Sequence, residues 1–160
     1  MKLFVCVGTQ KFPFDRLLRL ADKLAAEPGY QVFAQSGYSE YRPQHYRSEP
    51  FLTKDVFEQQ IRDCDLLLTH GGVSTIITGL REGKTILVLP RLAKYGEHVD
   101  DHQIQIARSF AEKNLVLCCE EGEELAGCIA RAQAAQFAPY VSHRADMIEV
   151  IEQYLAGLKR

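Results

Sequence analysis

Two short segments of this 160-residue chain carry the residue types that chemistry needs. The first is His70-Gly71-Gly72-Val73-Ser74-Thr75, directly after Asp65–Thr69, an apolar run of strand length. Gly71 and Gly72 have no Cβ, so the backbone there can approach a ligand closely. Ser74 and Thr75 then open a helical stretch, whose unpaired N–H groups and positive dipole end attract an anion, typically a phosphate. Both hydroxyl residues also suit helix capping, and the two roles are compatible because cap and phosphate use the same orphan donors. His70, at the strand end, is a candidate donor to a diphosphate oxygen. Gly8-Thr9-Gln10 follows another strand-like run and offers a tight turn, a hydroxyl and backbone N–H groups.

The second segment is Val99-Asp100-Asp101-His102-Gln103, at the start of a later helical stretch. Capping and dipole compensation account for one carboxylate but not for both together with Gln103. A carboxylate and an amide at that helix mouth suit the hydroxyls of a ligand, so Asp100 and Gln103 are candidate sugar contacts. The two motifs together read as a nucleotide-sugar site. Glu97 and His98, in the loop just before, are candidate general bases, although charges on surface loops are usually only solvated.

These residues must be positioned by a scaffold, and the hydropathy pattern describes one. Residues 2–7, 31–35, 66–69, 85–89 and 115–118 read as strands, with a short edge strand expected at His45–Arg47. Helices are expected over Phe14–Ala26, from Thr53 as N-cap to Cys64, and over Ser74–Glu82, Asp101–Glu112, Glu123–Ala135 and Arg144–Leu158. Residues 91–100 read as a charged loop. Near-continuous apolar strands between amphipathic helices imply an α/β domain with a Rossmann-like, doubly wound parallel sheet. Such sheets bind ligands at the carboxyl ends of their strands, where all three motifs gather.

Bulk properties narrow the function. The length suits a single domain over 1–160. Charged residues are 25% of the chain with a net charge of −2, which argues against a general nucleic-acid binder. Lys11, Arg16 and Arg19 form the densest basic group and read as a solvated helix face. No signal-peptide or membrane-span pattern is present, so a cytoplasmic location is expected. The five cysteines have neither Cys-x-x-Cys spacing nor a histidine at zinc spacing, so no metal is expected. Neither Gly-x-Gly-x-x-Gly nor the Walker A pattern occurs, which disfavours a dehydrogenase or a P-loop NTPase. The final helical stretch has an apolar face, Met147, Val150, Ile151, Tyr154, Leu155 and Leu158, that suits its own sheet or a partner subunit.

His70-Gly71-Gly72-x-Ser74-Thr75-Ile76, followed by Arg91-x-x-Lys94-Tyr95-Gly96-Glu97-His98-Val99-Asp100-Asp101-His102-Gln103, resembles the C-terminal domain of glycosyltransferase family 28. Val7-Gly8-Thr9-Gln10-x-x-Pro13-Phe14-Asp15-Arg16-Leu17 fits the same pattern. Within the family the chain is most similar to stand-alone half-enzymes. These are the catalytic subunit of the lipid-linked N-acetylglucosaminyltransferase pair and the small subunit of bacterial capsule or exopolysaccharide β-1,4-glycosyltransferase pairs. The resemblance implies one lobe of a GT-B glycosyltransferase that binds a UDP-sugar as donor substrate, with no further cofactor. It implies that Thr9, His70, Gly71, Gly72, Ser74 and Thr75 surround the diphosphate and that Asp100 and Gln103 contact the donor sugar. Relatives carry Asp or Glu on the helix after the glycine loop to hold the ribose; here the aligned position is Thr78, whose hydroxyl lacks charge assistance. The acceptor lobe is missing, which implies a membrane-anchored partner that binds a lipid-linked saccharide and recruits the chain to the inner face of the membrane. An accessory, non-catalytic subunit of such an enzyme is the alternative reading.

Overall fold

The computed structural model describes residues 1–142, so His143 and the helix expected at 144–158 lie outside the described residues. The elements are β1 (Lys2–Cys6), α1 (Asp15–Ala25), β2 (Gln31–Gln35), β3 (Arg47–Glu49), α2 (Lys54–Asp63), β4 (Leu66–Thr69), α3 (Val73–Arg81), β5 (Thr85–Val88), α4 (His102–Glu112), β6 (Leu117–Cys118) and α5 (Leu125–Ala134). The six strands form one parallel sheet in the order β3-β2-β1-β4-β5-β6. Sequential winding runs outward from β1 in one direction and restarts at β4 in the other. The switch point therefore falls between β1 and β4, where the flanking connections diverge and leave a crevice. Cys6 pairs with Thr69 in register, so both strands end at one level and deliver Gly8 and His70 side by side.

Alternation along the strands builds two cores. Leu3, Val5, Leu66, Leu68 and Leu87 pack with Leu17, Leu18 and Ala21 of α1 and with Leu125, Ile129 and Ala132 of α5. Phe4, Cys6, Leu67, Ile86 and Val88 face the other way, against Ile61 of α2, Ile76 and Leu80 of α3 and Ala107 of α4. Both sheet faces are thus dry, which is why the strands read as continuous apolar runs.

Four local expectations are corrected. The edge strand begins at Arg47, not His45, because the buried Asp22 carboxylate takes the backbone N–H groups of Gln44 and His45 out of the ladder, at 3.0 and 2.9 Å. The last strand begins at Leu117, because α4 ends through Asn114 at φ +54° and the Leu115 N–H closes back onto Phe110. The stretch 91–100 is no solvated loop: it contains a 3₁₀ turn, Ala93–Tyr95, and both Arg91 and Glu97 are buried. Arg16, read as solvated, grips the Glu97 carboxylate with two hydrogen bonds of 2.8 Å.

Arg91 is fully buried. Its Nη1 donates to the carbonyls of Phe12, Pro13 and Glu97 at 2.8, 3.2 and 2.8 Å, and its Nη2 donates to Val7 at 2.6 Å. The guanidinium lies 4.9 Å from the centre of the Phe14 ring. One side chain thereby ties the turn after β1 to the loop after β5. Replacing Arg91 with Met should leave those carbonyls unpaired and cost about 3–5 kcal/mol, read as a lower urea midpoint at unchanged slope. Arg91→Lys should recover only part, because one ammonium cannot span that fork. A loss below about 1 kcal/mol in the Met variant would show that desolvation of the guanidinium cancels its bonds.

Candidate functional site

At the switch point the chain makes a tight turn through Gly8, whose φ of +81° is the left-handed region that glycine enters freely. A Cβ there would stand 2.6 Å from His70 Cε1 and Nε2. At Gly72 a Cβ would stand 2.3 Å from Nε2 of the same ring. The two glycines therefore exist as a slot for the imidazole. Gly71 serves otherwise: a Cβ there would meet Gln103 at 2.7 Å, so this glycine lets α4 pack against the strand end. The space at each of these glycines is thus taken by a side chain of the protein itself, His70 at Gly72 and Gln103 at Gly71.

The N-terminus of α3 is uncapped. Gly72 is the N-cap residue and supplies no side chain, while Ser74 and Thr75 lie inside the first turn, past the capping position. Their expected capping role is corrected accordingly. Thr75 Oγ1 meets Cys6 Sγ at 3.9 Å, and the N–H of Ile76 makes the turn's bond to the Gly72 carbonyl. The N–H groups of Val73, Ser74 and Thr75 are left as orphan donors with the positive end of the helix dipole behind them. They open on a cavity of about 510 Å³, a volume typical of small-molecule sites. Thr9, Gln10, His70, Gly72, Ser74 and Thr75 line it from the sheet edge and α3. Its opposite wall is Phe51, Leu52, Lys54 and Phe57, which motif spacing gave no reason to select. Phe51 and Tyr38 meet edge to face at 5.2 Å and both are half exposed. An aromatic wall beside a bare helix N-terminus offers an apolar surface and an anion cradle in one cavity.

The imidazole of His70 has a defined tautomer. Thr69 Oγ1 donates to the Cys6 carbonyl at 3.0 Å, so its lone pairs face His70 Nδ1 at 3.2 Å. The Cys6 carbonyl lies 3.3 Å from the same nitrogen. Two acceptors there require the proton on Nδ1. Nε2 then carries a lone pair, and among the described residues it has no protein partner. Burial pushes the His70 pKa down to about 4, with the Arg91 charge adding to the effect and the bond to Cys6 opposing it. With Nδ1 protonated, the resting ring is neutral and presents an acceptor at Nε2.

The remaining candidates lie outside the cavity lining. Gln103 is buried, and its Oε1 accepts from the N–H groups of Gly71 and Arg91 at 3.1 and 3.3 Å, which leaves only the amide nitrogen for other contacts. Asp100 Oδ1 accepts from the His102 N–H at 3.0 Å and faces His98 Nδ1 at 3.0 Å. The His102 N–H holds the Asp100 carboxyl below its ordinary pKa. Asp101 instead accepts from the Ala93 N–H at 2.9 Å. Thr78 turns its hydroxyl back onto the Ser74 carbonyl at 2.9 Å. Glu97 is committed to Arg16 and to the Leu92 N–H, at 2.8 and 2.9 Å. His98 packs against Phe12 with ring centres 5.9 Å apart, and its Nδ1 faces both the Asp100 carboxylate at 3.0 Å and the Asp100 N–H at 3.3 Å.

The sequence profile of the glycosyltransferase family 28 C-terminal domain matches residues 2–150. The chain belongs to that family. It is 22% identical over 132 residues, 74% of its length, to the mouse (Mus musculus) UDP-N-acetylglucosamine transferase subunit ALG13, of which it covers 10%. Its fold is that of a lobe of GT-B glycosyltransferases. It superposes on the glycosyltransferase of kitacinnamycin with a TM-score of 0.62 at 16% identity, covering 84% of this chain and 35% of that one. For MurG of Acinetobacter baumannii the TM-score is 0.51 at 18% identity, with 100% of this chain and 42% of that one covered. The chain thus spans about a tenth of the curated relative and about a third of the first structure.

In this family 28 domain a cation already stands at the one cluster of metal-type ligands found among the described residues. Cys119, Glu123 and Cys128 come within 4.8 Å of one another, but Arg131 Nη2 lies 2.6 Å from Glu123 and 3.4 Å from Cys128. All five cysteines are free thiols. No helix among the described residues is long and apolar enough to cross a membrane.

The depressed His70 pKa has a consequence for stability. The unfolded chain binds a proton near the ordinary value of 6.5 and the folded chain only near 4, so stability must fall as pH drops between them. Going from about pH 6.5 to about pH 5 should cost about 1–2 kcal/mol in urea unfolding, and His70→Gln should abolish that component. An equal slope in both proteins would place the titrating group elsewhere.

Proposed function

We propose that this domain binds the UDP portion of a UDP-sugar and acts as the donor half of a two-component glycosyltransferase. The observation that carries the reading is the convergence of the bare α3 N-terminus and the Gly8 turn on one cavity with an aromatic far wall. Backbone donors at a helix N-terminus suit a diphosphate, and a flat apolar wall beside them suits a base. The mouse relative's own name describes a UDP-N-acetylglucosamine transferase subunit, which supports both the nucleotide and the subunit arrangement.

In the transfer, a hydroxyl of the acceptor attacks the anomeric carbon, the bond from that carbon to the β-phosphate oxygen breaks, and UDP leaves. Negative charge grows on the leaving diphosphate as that bond lengthens. Fixed N–H groups aimed at the place where charge develops lower the barrier without reorganising. The hydroxyl proton goes to a base; His98, beside Asp100, is the candidate for it within this chain. The acceptor, a lipid-linked saccharide, is held by a membrane-anchored partner that brings this lobe to the inner membrane face. Lys54 adds a cation from the opposite wall of the cavity. The whole of 1–160 forms the donor-binding unit.

Calorimetric titration with UDP, UDP-N-acetylglucosamine and UDP-glucose tests the site. Gly72→Val drives a side chain into the His70 ring and should weaken binding by about a hundredfold. Val73→Pro is gentler: it removes one orphan N–H at the first helical position, where proline fits, and should cost about tenfold with the fold intact. Unchanged affinity in both variants would place the nucleotide elsewhere.

A further inference from the structure

His70 is the cavity residue whose polarity opposes that of its surroundings. The first turn of α3 presents N–H donors to the cavity, and the slot between Gly8 and Gly72 presents the Cε1–Nε2 edge of the imidazole among them. Thr69 and Cys6 fix the Nδ1 proton, so that edge ends in a lone pair. A lone pair is repelled by a phosphate oxygen, and the backbone packing leaves the ring no room to turn away. A Cβ at either glycine would already overlap it, so the slot fits one imidazole in one place. With both Nδ1 contacts kept, to Thr69 and to the Cys6 carbonyl, a proton on Nε2 is what makes this edge complementary to an anion.

We infer that His70 takes up a proton as the diphosphate enters the cavity, turning into an imidazolium that donates from both ring nitrogens, so that donor binding is proton-coupled. The inference rests on the reading of this cavity as a diphosphate site.

The charges around the ring account for the two states. From the loop after β5, Arg91 and His98 act on it, and both disfavour a second positive charge. Arg91 itself stays cationic, its pKa pushed down by burial only to about 10. From β1, burial raises the Cys6 thiol pKa, so the thiol is neutral and offers no counter-charge. Across the cavity α2 contributes Lys54, and the first turn of α3 contributes no titratable side chain. Without a ligand, burial and the Arg91 charge therefore keep the ring neutral. A nucleotide-sugar diphosphate brings two negative charges. An opposite charge at hydrogen-bond distance raises such a pKa by about 1–3, so two bring the ring from about 4 into the neutral range.

The sign of the linkage follows. With the bound value above the free value, affinity rises as pH falls through the bound pKa and levels off near the free one. The diphosphate of a UDP-sugar is doubly esterified and keeps its charge across this range, so it adds no proton of its own. Calorimetry of the full chain with UDP-N-acetylglucosamine and UDP-glucose, in buffers of different ionisation enthalpy, measures the proton directly. The expected result is uptake of about 0.5–1 proton at about pH 6 and binding roughly tenfold tighter there than at about pH 8. His70→Gln places a non-titrating amide donor where Nε2 stands; it should bind with a flat pH profile and no proton uptake. Wild-type binding without uptake would overturn the inference while the donor site stands, and would make Nε2 an acceptor for a ligand hydroxyl. Persistence of the slope in His70→Gln would also overturn it, by assigning the proton to another group. Absence of binding by either nucleotide sugar at any pH would overturn the donor-site reading and this inference with it.

Discussion

A single buried guanidinium fastens the functional edge of this fold. The turn after β1 and the loop after β5 come from strands that are not neighbours; β4 lies between them. Val7 pairs with Gln35 and Leu89 with Thr69, but among the described residues no backbone bond joins the two segments to each other. Arg91 supplies that link by donating to Val7, Phe12 and Pro13 on one side and to Glu97 on the other. A buried cation is costly, and it persists only where hydrogen bonds and a counter-charge replace its water. Here the carbonyls take the Nη donors, the Phe14 face takes part of the charge, and Glu97 stands nearby, itself gripped by Arg16. Arg91 Nε has no partner, and it is the one buried side-chain polar atom among the described residues of which that is true. Lysine could not do this work, because four acceptors in a fork require a planar donor with several N–H groups.

The second constraint is spatial. His70 occupies the crevice floor, so the backbone on both sides must be glycine: Gly8 to clear Cε1 and Nε2, Gly72 to clear Nε2 again. The glycines at this edge thus divide between two tasks. Two of them make room for an imidazole, and Gly71 makes room for Gln103 and the mouth of α4. The anion-binding capacity is then carried by main chain, through the orphan N–H groups of α3, and is indifferent to most side chains around it.

That division also decides what could be read from the sequence. Strand and helix existence was legible, because dry strands and amphipathic helices leave strong periodicity: Leu66–Thr69 and the Leu17, Leu18, Ala21 stripe were plain. The doubly wound sheet and the gathering of three motifs at one edge followed from that alternation. Side-chain commitments were not legible. Arg91, Glu97 and Arg16 looked like loop and surface charges, because nothing local marks an ion pair that closes across 81 residues of chain. The shift of β3 depended on Asp22 capturing two distant N–H groups, which no pattern within the strand records. Phe51 and Phe57 carry no motif; only the packing of α2 against the sheet edge turns them toward the cavity. The resting state of His70 was not legible either, because its ring nitrogen meets the carbonyl of Cys6, 64 residues away in the chain.

The distribution of spent and unspent polar groups bears on how a lobe of this kind selects its donor. The proposed diphosphate cradle would serve any nucleotide sugar, since it would recognise charge and not stereochemistry. Discrimination between sugars needs side chains with free hydrogen-bonding capacity, because an unmatched hydroxyl is penalised only where a fixed partner expects it. The residues placed for that task are largely committed to the protein itself: Gln103 Oε1 bridges Gly71 and Arg91, Asp100 Oδ1 holds the start of α4, and Thr78 bonds its own helix. What remains is the Gln103 amide nitrogen and the second Asp100 oxygen, which among the described residues has only His102 Nε2 near it, at 3.7 Å. Two groups can fix the orientation of a ring but constrain few of its hydroxyls. Under the proposed arrangement, the finer selection of the sugar therefore falls to the surface that closes over the cavity, and the lobe described here contributes chiefly the charge and the position.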